Sequence, residues 1–243
     1  MSRSNPTENS SHPCTRWIEW NGEHGVLSYY NKAEKKDVPM GAKFVFILLD
    51  VLATIKGWHD ASESGIYSNE VKDTRQEPFV VKAFKGGELA SGIYAGIKDR
   101  VGSMGGHFTA NLYIAFRDDA GPLQIGSLQF KGAALREWME FSKKNRADLY
   151  KKALAITGFT EGKKGKVTYR VPTFAMRDIT PETDEQATAL DTALQAFLKS
   201  YFSRTTVERA ATQPAAEPEE IHASREQPAE HHRGQIDPDD IPF

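Results

Sequence analysis

The stretch HFTANLYIAF, residues 107–116, alternates more strictly between two kinds of side chain than any other part of the sequence. Every second residue from Phe108 to Phe116 is apolar. Successive side chains of a β-strand point to opposite faces, so this pattern predicts a strand that places one face in a hydrophobic core. Turn residues occupy 118–122, and the apolar run 123–130 follows as a partner strand. The centre of the fold is therefore predicted to be a β-hairpin.

Short apolar segments on both sides of this hairpin predict further strands and a few helices. The predicted strands cover residues 17–20, 26–30, 42–52, 79–84, 153–159 and 166–176. Helical spacing predicts helices over residues 88–101, after Gly132 and over 181–203. This succession is typical of a mainly β protein with a few helices, built as an antiparallel barrel or sandwich. The small size favours an OB-like antiparallel β-barrel of five strands.

The composition excludes several classes of protein. The longest apolar run, Phe44 to Leu49, is far too short to cross a bilayer, so no membrane partner is expected. The single cysteine, Cys14, cannot form an internal disulfide, and no Cys/His cluster indicates a metal or other cofactor. These features predict a soluble protein of the cell interior.

Charge is distributed unevenly along the chain. The net charge is −2, but residues 206–243 alone carry nine acidic and three basic side chains, which leaves +4 on residues 1–205. Residues 1–13 and 206–235 are polar and lack a periodic apolar pattern, so both are predicted to be disordered. The chain thus divides into a disordered N-terminus (1–13), a folded domain (14–205), a flexible acidic linker (206–235) and a terminal segment (236–243).

The terminal segment IDPDDIPF, residues 236–243, places apolar side chains and the α-carboxylate after a series of aspartates. A shallow apolar pocket could hold the Phe243 ring, and basic residues could bind the carboxylates. The segment is therefore predicted to be a protein-interaction tip. Its contact residues are Asp237, Asp239, Asp240, Ile241, Pro242 and Phe243.

This tip resembles the acidic C-terminal tip of bacterial single-stranded-DNA-binding proteins, in which an OB domain and a disordered linker precede it. The usual N-terminal domain of that family is not recognisable in residues 1–205. The whole chain is more similar to the divergent OB-fold group of bacteriophage single-stranded-DNA-binding proteins. The resemblance implies a protein that coats single-stranded DNA during replication, recombination and repair and recruits enzymes of these processes through its tip. It also implies that the protein acts in the cytoplasm of a bacterium or of a phage-infected cell.

Binding of single strands requires cations for phosphates and exposed rings on which bases stack. Aromatic residues lie close to lysines or arginines in several parts of the sequence. The predicted DNA-binding residues are Tyr30, Lys36, Trp58, Lys72, Tyr113 and Arg170. Tyr113 is included because the alternating pattern places it opposite the predicted core face, together with His107 and Asn111.

No catalytic apparatus is recognisable, because no nucleophile is found with a base and no histidine has a metal-site spacing. The expected function is therefore non-enzymatic. Two alternatives stay open: an interaction protein that uses the tip as a decoy to divert client enzymes, and a mediator that anneals strands. Association with further copies of the chain, as a homo-oligomer, also stays open.

Overall fold

The computed structural model describes residues 12–118, 121–206 and 208–209. Within these ranges the chain forms eleven strands and three α-helices. The strands are β1 (Arg16–Asn21), β2 (Val26–Asn31), β3 (Lys36–Gly41), β4 (Phe44–His59), β5 (Ser64–Ser68), β6 (Phe79–Ala83), β7 (Gly87–Gly92), β8 (Gly106–Phe116), β9 (Gln124–Lys131), β10 (Ala153–Lys164) and β11 (Val167–Arg177). The helices are α1 (Tyr94–Ser103), α2 (Gly132–Lys144) and α3 (Pro181–Phe202).

The prediction of a mainly β protein with a few helices is confirmed, and one helix boundary is wrong. The helix predicted from residue 88 begins only at Tyr94, because residues 87–92 pair with β6 as β7. Leu89 and Ala90 enter the core from this strand. The spacing of Leu89 from Ile93 and Ile97 fits a helix, but burial against β6 decides the conformation.

The strands form one mixed sheet in the order β3-β2-β1-β9-β8-β4-β5-β6-β7. All neighbours are antiparallel except β1 and β9, which run parallel, so the sheet differs from the purely antiparallel one expected. The long strand β4 has three partners along its length. It pairs with β10 over Phe44–Ile47, with β8 over Phe46–Gly57 and with β5 over Gly57–His59.

The β10–β11 hairpin leaves the main sheet at β4 and ends against the turn between β1 and β2. The indole Nε1 of Trp20 donates to the Arg170 carbonyl oxygen at 2.9 Å. The Arg170 amide donates to the Gly22 carbonyl oxygen at 2.6 Å. These two bonds bring β11 next to β1, although the two strands are about 150 residues apart in sequence.

The two faces of the sheet contribute to two hydrophobic cores. The inner face, which carries Leu112 and Ile114 of β8, forms the larger core, and α2 covers one end of it through Leu135 and Trp138. The outer face carries the alternate residues, among them Tyr113. Helix α3 packs on one half of this outer face and forms the second core. None of the helices in the described ranges is long and apolar enough to cross a membrane.

The folded part extends at both ends beyond the predicted boundaries of 14 and 205. His12 lies between β1 and α3, with its ring centroid 5.3 Å from that of Trp17 and 4.9 Å from that of Phe197. At the other end, Arg209 is buried and its guanidinium lies 3.2 Å from the Glu77 carboxylate. The predicted tip residues 236–243 lie outside the described residues.

The burial of His12 predicts a loss of stability in mild acid. Burial lowers the pKa of His12 from 6.5 to about 4, so the folded state favours the neutral ring. The free energy of unfolding should therefore decrease as the pH falls from 6.5 towards 4, by about 1–3 kcal/mol. Thermal unfolding of the wild type and of His12→Phe across this range measures the effect. The variant should lose part of the pH dependence; an unchanged profile would show that His12 does not contribute to it.

Candidate nucleic-acid interface

Helix α3 leaves one half of the outer face uncovered, and this half carries the candidate interface. Its basic residues come from β4, β6, β8 and β9, and its aromatic residues come from β4, β5 and the end of β6. We call this surface the open patch, and its members are Lys56, Trp58, Tyr67, Lys82, Phe84, His107 and Lys131. All seven side chains are half-buried or exposed.

Strand register places four members of the patch in one row across the sheet. Tyr67 is paired with Lys82 of β6, and Lys56 is paired with His107 of β8. Gly57 and Ile66 are the last paired residues of β4 and β5. Lys56 and Tyr67 come directly next to them in the two strands, so we infer that these two side chains lie side by side. Cross-strand neighbours point to the same face of a sheet, so the row reads Lys82, Tyr67, Lys56, His107.

Aromatic residues extend this row on the β5–β6 side. The rings of Tyr67 and Phe84 stack, with their centroids 4.5 Å apart and their planes at 26°. Burial raises the pKa of Tyr67, so its hydroxyl stays protonated over the physiological range. Trp58 lies on the same face, two residues after Lys56, where its backbone amide donates to the Gly105 carbonyl oxygen at 3.3 Å.

One carboxylate, that of Glu19, lies among the cations of the patch. The Lys131 ammonium is 3.8 Å from the Glu19 carboxylate, and both side chains are about half exposed. Burial by itself would raise the pKa of Glu19, but Lys131 and Lys56 outweigh this effect and lower it. The two lysines therefore create a positive potential at this position.

The charge of the patch at neutral pH comes from its lysines. Burial, and then the proximity of Lys131, lower the pKa of His107, so its ring is neutral at pH 7. A neutral imidazole supplies a ring for stacking and a hydrogen-bonding nitrogen. The arrangement therefore combines point charges with flat apolar surfaces within one row of the sheet. These are the two elements that binding of a single strand needs.

The six predicted DNA-binding residues do not form one site. Only Trp58 belongs to the open patch. Tyr30 and Lys36 lie on β2 and β3 at the edge of the sheet, where Lys36 pairs with Glu34 at 2.7 Å. Lys72 lies beside α3, 3.0 Å from the Asp50 carboxylate and 5.8 Å from the ring centre of Phe202.

Arg170 lies on β11, away from the patch. Its guanidinium is 3.1 Å from the Glu161 carboxylate and lies over the Phe159 ring at 5.3 Å. It also donates to the Glu23 carbonyl oxygen. Arg170 therefore joins the β10–β11 hairpin to the β1–β2 turn.

The assignment of Tyr113 as a base-stacking residue is wrong. Its side chain is 0% exposed, because α3 covers this half of the outer face. The hydroxyl donates to Oε2 of the buried Glu70 at 2.7 Å, and Glu70 also accepts a hydrogen bond from Asn111. Alternation in β8 correctly placed Tyr113 opposite the inner core, but it could not reveal that a helix from the end of the chain packs there.

The sequence did not indicate most members of the patch, because they are distant from one another in the chain. Lys56, Lys82 and Lys131 lie on three different strands, and strand pairing alone brings them together. One feature of the sequence could have indicated the patch: after an otherwise apolar run, Thr54, Lys56 and Trp58 occupy every second position and so share one face of the strand. Within the described ranges, no group of three His, Cys, Asp or Glu residues could hold a metal ion.

In comparisons with known proteins, no protein-family model, no curated protein and no solved structure matches the chain.

The buried position of Tyr113 predicts that its removal affects stability and not DNA binding. Tyr113→Phe deletes the hydrogen bond to Glu70 and leaves a buried carboxylate with one donor fewer. The free energy of unfolding should fall by about 1–3 kcal/mol. Denaturant unfolding measures this change, and titration with oligo(dT) should give the affinity of the wild type. A variant of wild-type stability that binds more weakly would restore a direct role for Tyr113 in binding.

Proposed function

We propose that this chain is a non-catalytic single-stranded-DNA-binding protein of the bacteriophage type. It coats single strands during DNA replication, recombination and repair. Its open patch binds the strand, and its C-terminal tip recruits enzymes of these processes. The observation that carries the proposal is the row Lys82, Tyr67, Lys56, His107, which alternates cations and rings across neighbouring strands.

The chemistry of the row suits a single strand better than a duplex. Lysines neutralise phosphates of any sequence, and exposed rings stack on bases that only an unpaired strand offers. The stacked pair of Tyr67 and Phe84 offers a broad apolar surface next to Lys82. Stacking contributes about 1–3 kcal/mol per base, so a few such rings favour single strands over duplex.

The strand order supports an OB-like barrel as the domain that presents this row. An OB barrel is a five-stranded Greek-key barrel that binds oligonucleotides on the face of its second and third strands. Strands β4, β8 and β9 follow one another in the sheet, α2 comes next, and the hairpin β10–β11 returns to pair with β4. In this interpretation β8 and β9 are the second and third strands. Strand β1 then pairs with β9 on one side and with β2 on the other, and its end is hydrogen-bonded to Arg170 of β11. Strands β5 to β7 form an insertion.

The C-terminal sequence supports the recruiting role. Asp239, Asp240, Ile241, Pro242 and Phe243 resemble the tip of bacterial single-stranded-DNA-binding proteins and follow a polar acidic segment. A positive patch on the body and an acidic tail suit two different partners, nucleic acid and protein.

Removal of two patch lysines should weaken DNA binding and reduce its salt dependence. In the full chain, Lys56→Gln together with Lys131→Gln removes the cations that flank Glu19. If each contacts one phosphate, the slope of log affinity against log salt should fall by about 1.4, since each contact to a single strand contributes about 0.7. Fluorescence anisotropy with labelled oligo(dT) at a series of salt concentrations gives this slope.

Lys143→Gln together with Lys144→Gln is the matched control, because these exposed lysines lie at the end of α2, away from the outer face. This pair should leave the slope nearly unchanged. An equal loss in both double variants would argue against the open patch as the interface. Failure of the wild type to bind oligo(dT) at low salt would refute DNA binding and favour the decoy alternative.

Deletion of Phe243 alone should separate recruitment from DNA binding. The aspartates and a terminal carboxylate remain, so the affinity for oligo(dT) should stay close to that of the full chain. Binding to enzymes that recognise the bacterial tip should be lost, because their pocket loses the ring. A pull-down of such enzymes with both proteins measures the difference. Retention by the shortened chain would exclude the tip as their binding site.

A further inference from the structure

A narrow cleft between β1, β4, β8 and β9 opens next to the lysines of the patch. Side chains of five residues on the outer face contribute to its walls: Glu19, Lys56, Thr109, Gln129 and Lys131. Its volume is about 10 Å³, which suits a single small polar group and not a whole base.

A chain of hydrogen bonds with a single direction fixes the orientation of Gln129 in this cleft. It starts at Glu70, whose carboxylate accepts from the Asn111 amide nitrogen. The Asn111 amide oxygen is thereby turned to Ser127 and accepts from its hydroxyl. The Ser127 oxygen in turn accepts from Nε2 of Gln129 at 3.3 Å. Each group donates towards Glu70, so the amide nitrogen of Gln129 is committed to Ser127.

Because the amide nitrogen of Gln129 donates to Ser127, its amide oxygen is the group that can accept a hydrogen bond from a ligand in the cleft. Gln129 is only 5% exposed, and its Oε1 is buried without accepting a hydrogen bond from any group in the described ranges. Lys56 and Lys131 also line this cleft, and the Lys131 ammonium lies 3.8 Å from the Glu19 carboxylate. A buried acceptor without a donor is energetically unfavourable, so this atom favours a ligand that brings an N–H group.

We propose that this cleft reads the exocyclic amino group of one base of the bound strand. This inference rests on the proposed single-stranded-DNA binding and adds a base preference to it. The amino groups of cytosine and adenine project from the ring edge and can enter a cleft of this size. The only ring N–H of uracil or thymine lies recessed between two carbonyl oxygens, and these would approach Oε1 of Gln129 and repel it. Bases with an amino group are therefore preferred at this subsite.

Oligo(dC) and oligo(dU) of equal length provide the sharpest comparison, because their bases are both unmethylated pyrimidines of similar size. They differ at the amino or carbonyl group and at the adjacent ring nitrogen. The wild-type full chain should bind oligo(dC) about tenfold more tightly than oligo(dU). The titrations are made by fluorescence anisotropy at slightly alkaline pH, where oligo(dC) stays single-stranded.

Two substitutions at Gln129 separate hydrogen bonding from shape. Gln129→Met keeps the length of the side chain but removes the acceptor, so the preference for oligo(dC) should fall to about twofold or less. Gln129→Glu keeps an acceptor in the cleft, so the preference should persist even if the overall affinity falls. Gln124→Met is the matched control on the same strand. Gln124 is engaged with Thr15 and Asp118 at the far end of β9, and its substitution should leave the preference unchanged.

The outcomes distinguish the subsite from the proposed function. Tight binding of both oligonucleotides without preference, or a preference that survives in Gln129→Met, would overturn the subsite and leave single-strand binding intact. Absence of binding to either oligonucleotide by the wild type would overturn the proposed function itself. Thermal unfolding of each variant checks that the domain is folded. If the methionine variant unfolds, loss of the preference in a folded Gln129→Glu variant would overturn the subsite, because that variant keeps the acceptor.

Discussion

The pairing of β4 with β8 is the interaction on which the rest of the structure depends. It extends from Phe46 opposite Phe116 to Gly57 opposite Gly106, and it lies in the middle of the sheet. The inner face of this pair supplies the larger core through residues such as Leu112. Its outer face is apolar at one end, where Leu52 and Tyr113 are covered by α3, and polar at the other. The same two strands therefore anchor the C-terminal helix and present the open patch.

The division of the outer face follows from the physical chemistry of the side chains along β4 and β8. Apolar residues near Leu52 must be removed from water, and the apolar side of α3, with Leu194 and Leu198, covers them. Lys56 follows Leu52 by four residues on β4, and its cross-strand partner His107 lies near the start of β8. Lysine is costly to bury without a partner, so this end of the face stays accessible to solvent. A binding surface and a packing surface thus share one sheet face.

The buried carboxylate of Glu70 connects these two halves. Burial raises its pKa, and the hydrogen bonds from Tyr113 and Asn111 partly oppose this effect. Its backbone amide also donates to the Tyr201 hydroxyl at 2.8 Å, which joins it to the end of α3. From Asn111 the hydrogen-bond chain continues beneath the sheet surface to Gln129, in the half that α3 leaves open. A polar group under the helix thereby orients a side chain in the candidate interface.

The sequence by itself determined the mainly β class, most element positions and the contrast between body and tail, because alternation, helical spacing and charge are local properties. Residues 107–116 and 181–203 show this, because their patterns predicted β8 and α3 with an error of one residue at one end of each element. Only the tertiary structure decided which outer-face residues α3 covers, and so it buried Tyr113 and left Lys56 accessible. It also assembled the patch, because the register that aligns Lys56, Tyr67 and Lys82 arises from pairing between distant strands. No local pattern contains that information, since strand order depends on how the whole chain buries its apolar faces.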